Sequence, residues 1–295
     1  MAGTLAVSGV AGAQTTLEPV DPPDLYSSCP GYSGVAVAYD GNDRYVHAAK
    51  ERIEYIFNND LNSGPFDTLG HAIGDSSHII DQASAEMNVY HLKDDGEVVK
   101  TSADDVSIIP SFTSIGTFNN YDHLAAVQIG TDDYLILVEK DGTDPHYRIW
   151  DVTGADWVMD SGSPLEVGLP TTIPGGFNTS DSKGAGAYLA SDGTSSSQNI
   201  SNIILALNWS NDIFFFKEGY HLSNRDCSVN NLNYEIQDVA FNPNYSNNRS
   251  EIFVSTDLFG IGGEVARLAI DNEGTYENLP IYVNPVAIIT GDTEG

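Results

Sequence analysis

The chain has 295 residues, 41% of them hydrophobic, which is enough for one large domain with its own core. It carries 42 acidic against 12 basic residues, so its formal net charge at pH 7 is −30. Nucleic acids and anionic membranes attract Lys and Arg, so this charge disfavours both as partners. No apolar run approaches the roughly 20 residues that a membrane-spanning helix needs, and we expect no transmembrane segment.

Residues 1–26 are predicted to be an extended N-terminal arm. The apolar stretch within Met1 to Gln14 ends on Ala11-Gly-Ala13, which is typical of a signal-peptide cleavage site, but the usual basic leading residues are missing. Two interpretations stay open: the end of a secretion signal, and a small-residue first strand or arm. Thr15 to Tyr26 contains three prolines and is predicted to be a linker.

Residues 27–295 are predicted to form short strands separated by polar turns. Runs of four to six residues, rich in Val, Ile, Leu, Tyr and Phe, lie between clusters of Gly, Asn, Asp and Ser. Turns such as DGND, DDG and DGTD contain residues that tolerate left-handed backbone. The secondary structure of Tyr45 to Phe57 is left undecided, because its Ala-Ala-Lys-Glu-Arg core favours a helix and its flanks favour strands.

The apolar runs recur at a regular interval along the chain. The first run of each unit begins near Val35, Ile79, Leu124, Ile203 and Val239. The successive gaps are about 44, 45, 79 and 36 residues, and 40–45 residues is the length of a four-stranded propeller blade. The longest gap is close to two periods, which predicts a degenerate blade between Asp160 and Leu189.

Two of these units are recognisably similar, His123 to Val152 and Asp238 to Gly274. Each has three apolar runs and buries its faces only against a neighbour of the same kind. We therefore predict an all-β fold, a single β-propeller of six or seven four-stranded blades over residues 27–295. One large β-sandwich, or two, is the alternative.

The chain has two cysteines, Cys29 and Cys227, and neither belongs to a metal-type CxxC motif. Cys29 precedes the first unit and Cys227 precedes the last well-formed one, so in a ring they could be close. A disulfide between them would fasten the ring closure in an exported protein. Two buried, unpaired thiols are the alternative.

Candidate sites for modification and for metal binding are spread over the polar turns. Five Asn-X-Ser/Thr sequons are candidate glycosylation sites, although about four would arise by chance in this composition. Acidic turns with neighbouring Asn suit Ca²⁺, but no segment matches the twelve-residue Ca²⁺ loop. We therefore interpret these turns as hydrated ones that keep the protein soluble at high salt and expect no cofactor, with bound Ca²⁺ as the alternative. The sequons lie at Asn178, Asn199, Asn208, Asn244 and Asn248.

The segment from His123 to Val152 resembles a WD-repeat blade. It has His near its start, acidic residues in its turn and a closing Trp150-Asp151. In such blades the His and Asp side chains join strands by hydrogen bonds. The resemblance implies a structural role for four residues, His123, Asp133, Trp150 and Asp151.

The segments Ile236 to Tyr245 and Glu251 to Thr256 resemble repeats of exported bacterial and archaeal-type cell-surface propellers. Those surface-layer-like proteins have blades of the form D-V-A-x-S-P-N-Y followed by an I-F-V strand. The resemblance implies a secreted or cell-surface protein with a mainly structural or adhesive role.

No catalytic set stands out among the polar residues. A sialidase-like propeller needs converging arginines, a Tyr nucleophile and Asp-box turns, and Ser255 to Gly260 lacks the usual spacing and aromatic residue of such a turn. Tyr147, Trp157 and Trp209 are candidate ligand or partner contacts, because exposed aromatic side chains stack on sugars or anchor protein contacts.

We therefore expect a non-enzymatic extracellular structural protein that self-assembles as a surface-layer or filament subunit. Its expected partners are copies of itself. The alternatives are an adhesin-type propeller that binds glycans or proteins and a secreted sialidase-like glycosidase.

Overall fold

The structure is a computed structural model, and its description covers part of the chain. It describes residues 33–41, 43–50, 53–60, 67–72, 78–105, 111–139, 146–160, 163–164, 167–168, 184–189, 200, 203–209, 212–217, 220–226, 235–241, 251–257, 264–270 and 282–289. The predicted arm over residues 1–26 lies outside these ranges.

The described residues form 23 β-strands, most of them in five antiparallel sheets that we call blades 1 to 5. Blade 1 contains β1 (Gly34–Tyr39), β2 (Asp43–Lys50), β3 (Ile53–Asp60) and β4 (Asp67–Ala72). Blade 2 contains β5 (Ile79–Ala85), β6 (Asn88–Lys93), β7 (Glu97–Ser102) and β8 (Thr113–Thr117). Blade 3 contains β9 (Tyr121–Ile129), β10 (Asp132–Glu139), β11 (His146–Asp151), β12 (Asp156–Trp157) and β15 (Val167–Gly168).

The short strands β13 (Met159–Asp160) and β14 (Ser163–Pro164) form a separate hairpin. Blade 4 contains β16 (Ala185–Leu189), β17 (Ile203–Trp209), β18 (Asp212–Lys217) and β19 (Tyr220–Asp226). Blade 5 contains β20 (Glu235–Phe241), β21 (Glu251–Asp257), β22 (Glu264–Ile270) and β23 (Tyr282–Ile289). In every blade, the first four strands pair in chain order, so each blade is built on a four-stranded meander; in blade 3, β15 pairs in addition with β11.

The first strand of each blade is its innermost strand, and these five strands form a closed cycle. Along the cycle, β1 contacts β5, β5 contacts β9, β9 contacts β16, β16 contacts β20, and β20 contacts β1. Radially repeated four-stranded meanders around one axis form a β-propeller. The predicted all-β propeller fold is therefore confirmed.

The predicted count of six or seven blades is not confirmed, because the five described sheets already close the cycle. Ile203 begins the second strand of blade 4, and the innermost strand of that blade is β16. In the interval predicted to hold a degenerate blade, the described residues form β14, which belongs to the hairpin, β15, which joins blade 3, and β16 itself.

The segment from Tyr45 to Phe57, which the sequence leaves open between helix and strand, contains strand residues of β2 and β3. Residues 44–49 are buried without a break. A strand near the axis is covered on both faces by the neighbouring blades, so its sequence has no polar face.

The hydrophobic core is divided among the spaces between blades. One cluster, including Ile136 and Leu205, joins blades 3 and 4, and another, including Tyr90 and Leu135, joins blades 2 and 3. Full burial of one such side chain stabilises the fold by about 1.5–3 kcal/mol. None of the described segments contains a helix of the length and hydrophobicity that crossing a membrane requires.

Candidate functional site

Five residues, each in an innermost strand or directly before one, lie at the polar contacts where the five blades meet. We call them the axial residues: Gly34, Asp81, His123, Gly184 and Asp238. The residues that follow three of them, Val35, Leu124 and Ala185, donate their backbone N–H groups to the axial carboxyls. The polar centre of the molecule is therefore built from backbone amides and two aspartates.

Asp81 hydrogen-bonds to three neighbouring blades from its place on β5. Its Oδ2 accepts from Leu124 N of blade 3 at 2.7 Å, and its Oδ1 accepts from its own neighbour Gln82 N at 2.8 Å. The carboxyl also accepts from the backbone of Ala185 in blade 4 and hydrogen-bonds to the carboxyl of Asp238 in blade 5. The side chain has no solvent exposure.

Asp238 completes the set of contacts from β20. Its Oδ2 accepts from Val35 N of blade 1 at 2.6 Å, and its Oδ1 accepts from Val239 N at 2.7 Å. The hydrogen bond from Val35 N joins the last blade to the first, across 203 residues of sequence. Together with Asp81, which extends from blade 2, the carboxyl pair contacts all five blades.

Two axial glycines leave space for this pair. A Cβ on Gly34 would lie 2.9 Å from Gln82 N, and a Cβ on Gly184 would lie 2.7 Å from Asp238 Cα. Real Cβ atoms essentially never come this close to other heavy atoms. The inner strands therefore approach each other at a distance that only glycine permits at these positions.

Burial raises the pKa of both axial carboxyls well above the usual aspartate range. For Asp238 the nearby negative charge of Asp81 raises the pKa further. The backbone amide donors around the two carboxyls act in the opposite direction and are outweighed.

The remaining axial side chain is His123, which lies beside Asp81. Its Nδ1 is 3.8 Å from Asp81 Oδ2, which is beyond hydrogen-bond length, and the residue is 4% exposed. Nearby, the fully buried Asn208 accepts from Gly184 N at 2.8 Å and donates from Nδ2 to Ile236 O at 2.5 Å. Asn208 thereby joins blades 4 and 5.

The central space is narrow. A cavity of about 220 Å³, including its part open to solvent, lies among the inner strands of blades 2 to 5 and is lined mainly by Ala, Gly and Ser. Only about 10 Å³ of this space admits the centre of a water molecule, whereas pockets for small molecules usually measure about 300–1,000 Å³. No described group of three or more His, Cys, Asp or Glu side chains is arranged to hold a metal ion. The geometry of the axis suits the joining of blades.

The residues that the WD-repeat resemblance singles out occupy separate places. His123 lies on the axis, whereas Asp133 lies between blades 2 and 3, where it accepts from Asn88 Nδ2 at 2.6 Å, Tyr90 OH at 2.5 Å and Gln128 Nε2 at 3.0 Å. The structure does not bring these two residues together.

Trp150 and Asp151 lie further out in blade 3. Trp150 packs edge-on against Phe118 and Trp157, with ring centroids 5.2 and 5.1 Å apart. Asp151 Oδ1 accepts from Gly154 N at 2.9 Å and so stabilises a turn. Trp150 contributes to packing between blades 2 and 3.

Of the three predicted contact residues, Tyr147 and Trp157 have described side chains, and only Tyr147 is buried. Tyr147 is 6% exposed and packs in the core between blades 3 and 4, so it is not available as a surface contact, which corrects the prediction. Trp157 is half-buried, and the Arg148 guanidinium lies 4.0 Å from the centre of its aromatic ring. The side chain of Trp209 lies outside the described part.

The sequon at Asn208 is not accessible in the folded protein, because its amide is buried and donates to Ile236 O. The prediction of a glycan at this position is therefore corrected. The other sequons, Asn178, Asn199, Asn244 and Asn248, lie outside the described residues, as do Cys29 and Cys227. Their glycans and disulfide stay predictions, and Ca²⁺ binding stays an alternative.

Sequence reasoning did not identify Asp81 and Asp238 as a pair. The signal available was positional, because each aspartate lies inside an innermost strand, at the third position of β5 and the fourth of β20. An aspartate inside such a buried strand is unusual and needs partners. In a chain with 42 acidic residues this signal is easily overlooked.

Comparisons with known proteins identify no family. No family model matches the chain, and no curated protein matches it. A crystal structure of the mitotic checkpoint complex is similar with a TM-score of 0.42 and 12% identity, over 96% of this chain and 89% of that chain. A crystal structure of a nidogen/laminin complex is similar with a TM-score of 0.41 and 10% identity, over 87% of this chain and 84% of that chain. The assignment of the propeller fold rests on the strand order and the closed cycle of inner strands.

Proposed function

We propose that this protein is a non-enzymatic structural subunit that works outside the cell and associates with copies of itself. The observation that carries the proposal is strand β8 at the outer edge of blade 2. Its residues Thr113, Ser114 and Thr117 are exposed, and within the described residues it pairs only with β7. Such an edge presents unpaired backbone groups to another strand.

The composition of this edge is unusual for the chain. Residues 111–120 contain no charged residue, although 18% of the whole sequence is charged. Edge strands are usually protected by charges, prolines or bulges. A bulge at Ile115 twists β8, but neither a charge nor a proline blocks it.

The charge of the protein favours a second copy as the partner at this edge. Two molecules of charge −30 repel each other over most of their surfaces, and the repulsion is least where both surfaces are uncharged. Antiparallel pairing of β8 with β8 of a second copy joins two uncharged strands around a two-fold axis. Added salt screens the remaining repulsion, so association strengthens with ionic strength.

The axis supports a structural role over a catalytic one. The axial carboxyls are fully buried and hydrogen-bonded to the neighbouring blades, and the cavity beside them is small. Groups in this position join the blades and do not face a substrate.

The double variant Thr113→Lys/Thr117→Lys is expected to lose self-association, because each β8–β8 pair would then bring four lysines together. Sedimentation velocity at several protein and salt concentrations measures the effect. The control is Thr131→Lys/Thr153→Lys, which adds the same charge at exposed turns of blade 3. A wild type that stays monomeric at high salt, or a control that dissociates equally, would contradict the proposal.

The extracellular location has a separate test. Immunogold electron microscopy of producing cells, with an antibody against the purified protein, is expected to label the cell surface. Label confined to the cytoplasm would refute this part of the proposal and leave the association result standing.

A further inference from the structure

We propose that one proton, shared by the carboxyls of Asp81 and Asp238, fastens the propeller ring and makes its closure sensitive to pH. This inference concerns the stability of the fold and does not depend on the proposed function. It rests on the contact between two buried carboxyls and on the blades that they join.

The contact between the two carboxyls favours a proton between them. Two carboxyl oxygens within hydrogen-bond reach of each other can bond only through a hydrogen, and an ionised carboxylate has none to donate. Each carboxyl oxygen already accepts a backbone N–H at 2.6–2.8 Å. These amides partly offset the cost of burying negative charge, and the shared proton removes one of the two charges.

The position of the pair determines what loss of the proton does. Two ionised carboxylates in contact, both without solvent exposure, would repel each other strongly. Asp238 holds Val35 of the first blade, and Asp81 holds Leu124 and Ala185. The contact between blades 5 and 1 is the one joint of the ring where consecutive chain does not connect the neighbours. Separation of the carboxylates therefore loosens that joint.

The described groups packed against the pair are mostly uncharged. On the described elements packed against it, β1 and β16 contribute glycine and backbone, β17 contributes Asn208, and β21 places Ser255 opposite Asp238. The titratable neighbours are His123, 3.8 Å from Asp81, and His91, which hydrogen-bonds to Gln82 at 2.8 Å. A protonated His123 would favour ionised carboxylates, which opposes the effect of the shared proton.

The direction of the pH effect follows from where the proton is bound. The folded ring keeps the proton at a pH where an unfolded aspartate, with a pKa of about 3.9, has lost it. The stabilisation is therefore complete below that pKa and is lost as the pH rises through the raised value. Exposed carboxylates are fully ionised by about pH 6, so above pH 6 they no longer contribute to the pH dependence of stability. The contribution of the seven histidines and two cysteines is common to the wild type and the axial variants, so the difference between their pH slopes reports the buried pair.

Denaturant unfolding between pH 6 and 9 in high salt tests the proposal. For the wild type, the unfolding equilibrium constant is expected to rise by up to tenfold per pH unit until the pair is ionised. Asp238→Asn and Asp81→Asn remove the shared proton and are expected to lose this rise, whatever their absolute stability. His123→Gln is expected to keep it, and so is Asp104→Asn, which changes an exposed aspartate.

Infrared spectroscopy of the folded wild type covers the case in which the axial variants do not fold. A carbonyl band from a protonated carboxyl is expected at pH 7 and is expected to disappear at high pH. Absence of this band at pH 7, or equal pH slopes in the wild type and a folded axial variant, would overturn the proposal.

Discussion

A single methyl group at position 184 is expected to destabilise the protein by about 3 kcal/mol. In Gly184→Ala the new Cβ would overlap Asp238 Oδ1 and lie 2.7 Å from both Asp238 Cα and Gln237 O. Two of these three atoms belong to the backbone, so a rotamer change cannot relieve the contact. Strands β16 and β20 must move apart at the axis, and urea unfolding at constant pH measures the cost.

Gly130→Ala is the matched control for this variant. A Cβ at Gly130 meets no atom within 4 Å, but the residue has a φ of +67°, so alanine there costs about 1 kcal/mol of backbone strain. The difference between the two variants isolates the close approach of the blades. Equal losses of stability would show that the axis tolerates a larger residue.

Asp133→Ala is also expected to cost about 3 kcal/mol or more, because it removes the common acceptor of three side-chain donors. The Tyr90 hydroxyl is the most costly of these to leave unpaired, since Tyr90 is fully buried. Burial, followed by the hydrogen bond to Asp133, raises the pKa of Tyr90, so its hydroxyl stays a neutral donor at all ordinary pH values. Thermal or urea unfolding measures the loss.

A double-mutant cycle with Tyr90→Phe separates this hydrogen bond from a general disturbance. Phenylalanine removes the hydroxyl that Asp133→Ala leaves without an acceptor. The loss of stability in the double variant is therefore expected to be smaller than the sum of the two single losses by about 1 kcal/mol or more. Additive losses, within about 0.5 kcal/mol, would mean that the two residues act independently.

The sequence predicts the propeller class because its apolar runs and polar turns recur at blade length. It misleads about blade number in one place, where β16 has the sequence Ala-Gly-Ala-Tyr-Leu and Ile203 begins a more hydrophobic strand. Small residues predominate in β16 because the blades approach most closely at the axis. The innermost strand of that blade is therefore its least conspicuous one in a search for hydrophobic runs.

The site is harder to predict than the fold. The contact between Asp81 and Asp238 joins residues far apart in sequence, and no local pattern gives the distance between them. Tyr147 shows the same limit, because a strand packed between two blades buries side chains on both of its faces. Resemblance to a blade motif indicates the strand but not which side chains remain exposed.

The hydrogen bond between Val35 and Asp238 forms only late in protein synthesis. The ribosome makes blade 1 first, and its partner on blade 5 emerges about 200 residues later, at the separation of 203 that this bond spans. Contacts so distant in sequence slow folding, because a long segment must be ordered before they form. Throughout translation the first blade thus keeps one apolar flank uncovered. A nascent chain of this kind is expected to depend on chaperones until its final blade arrives.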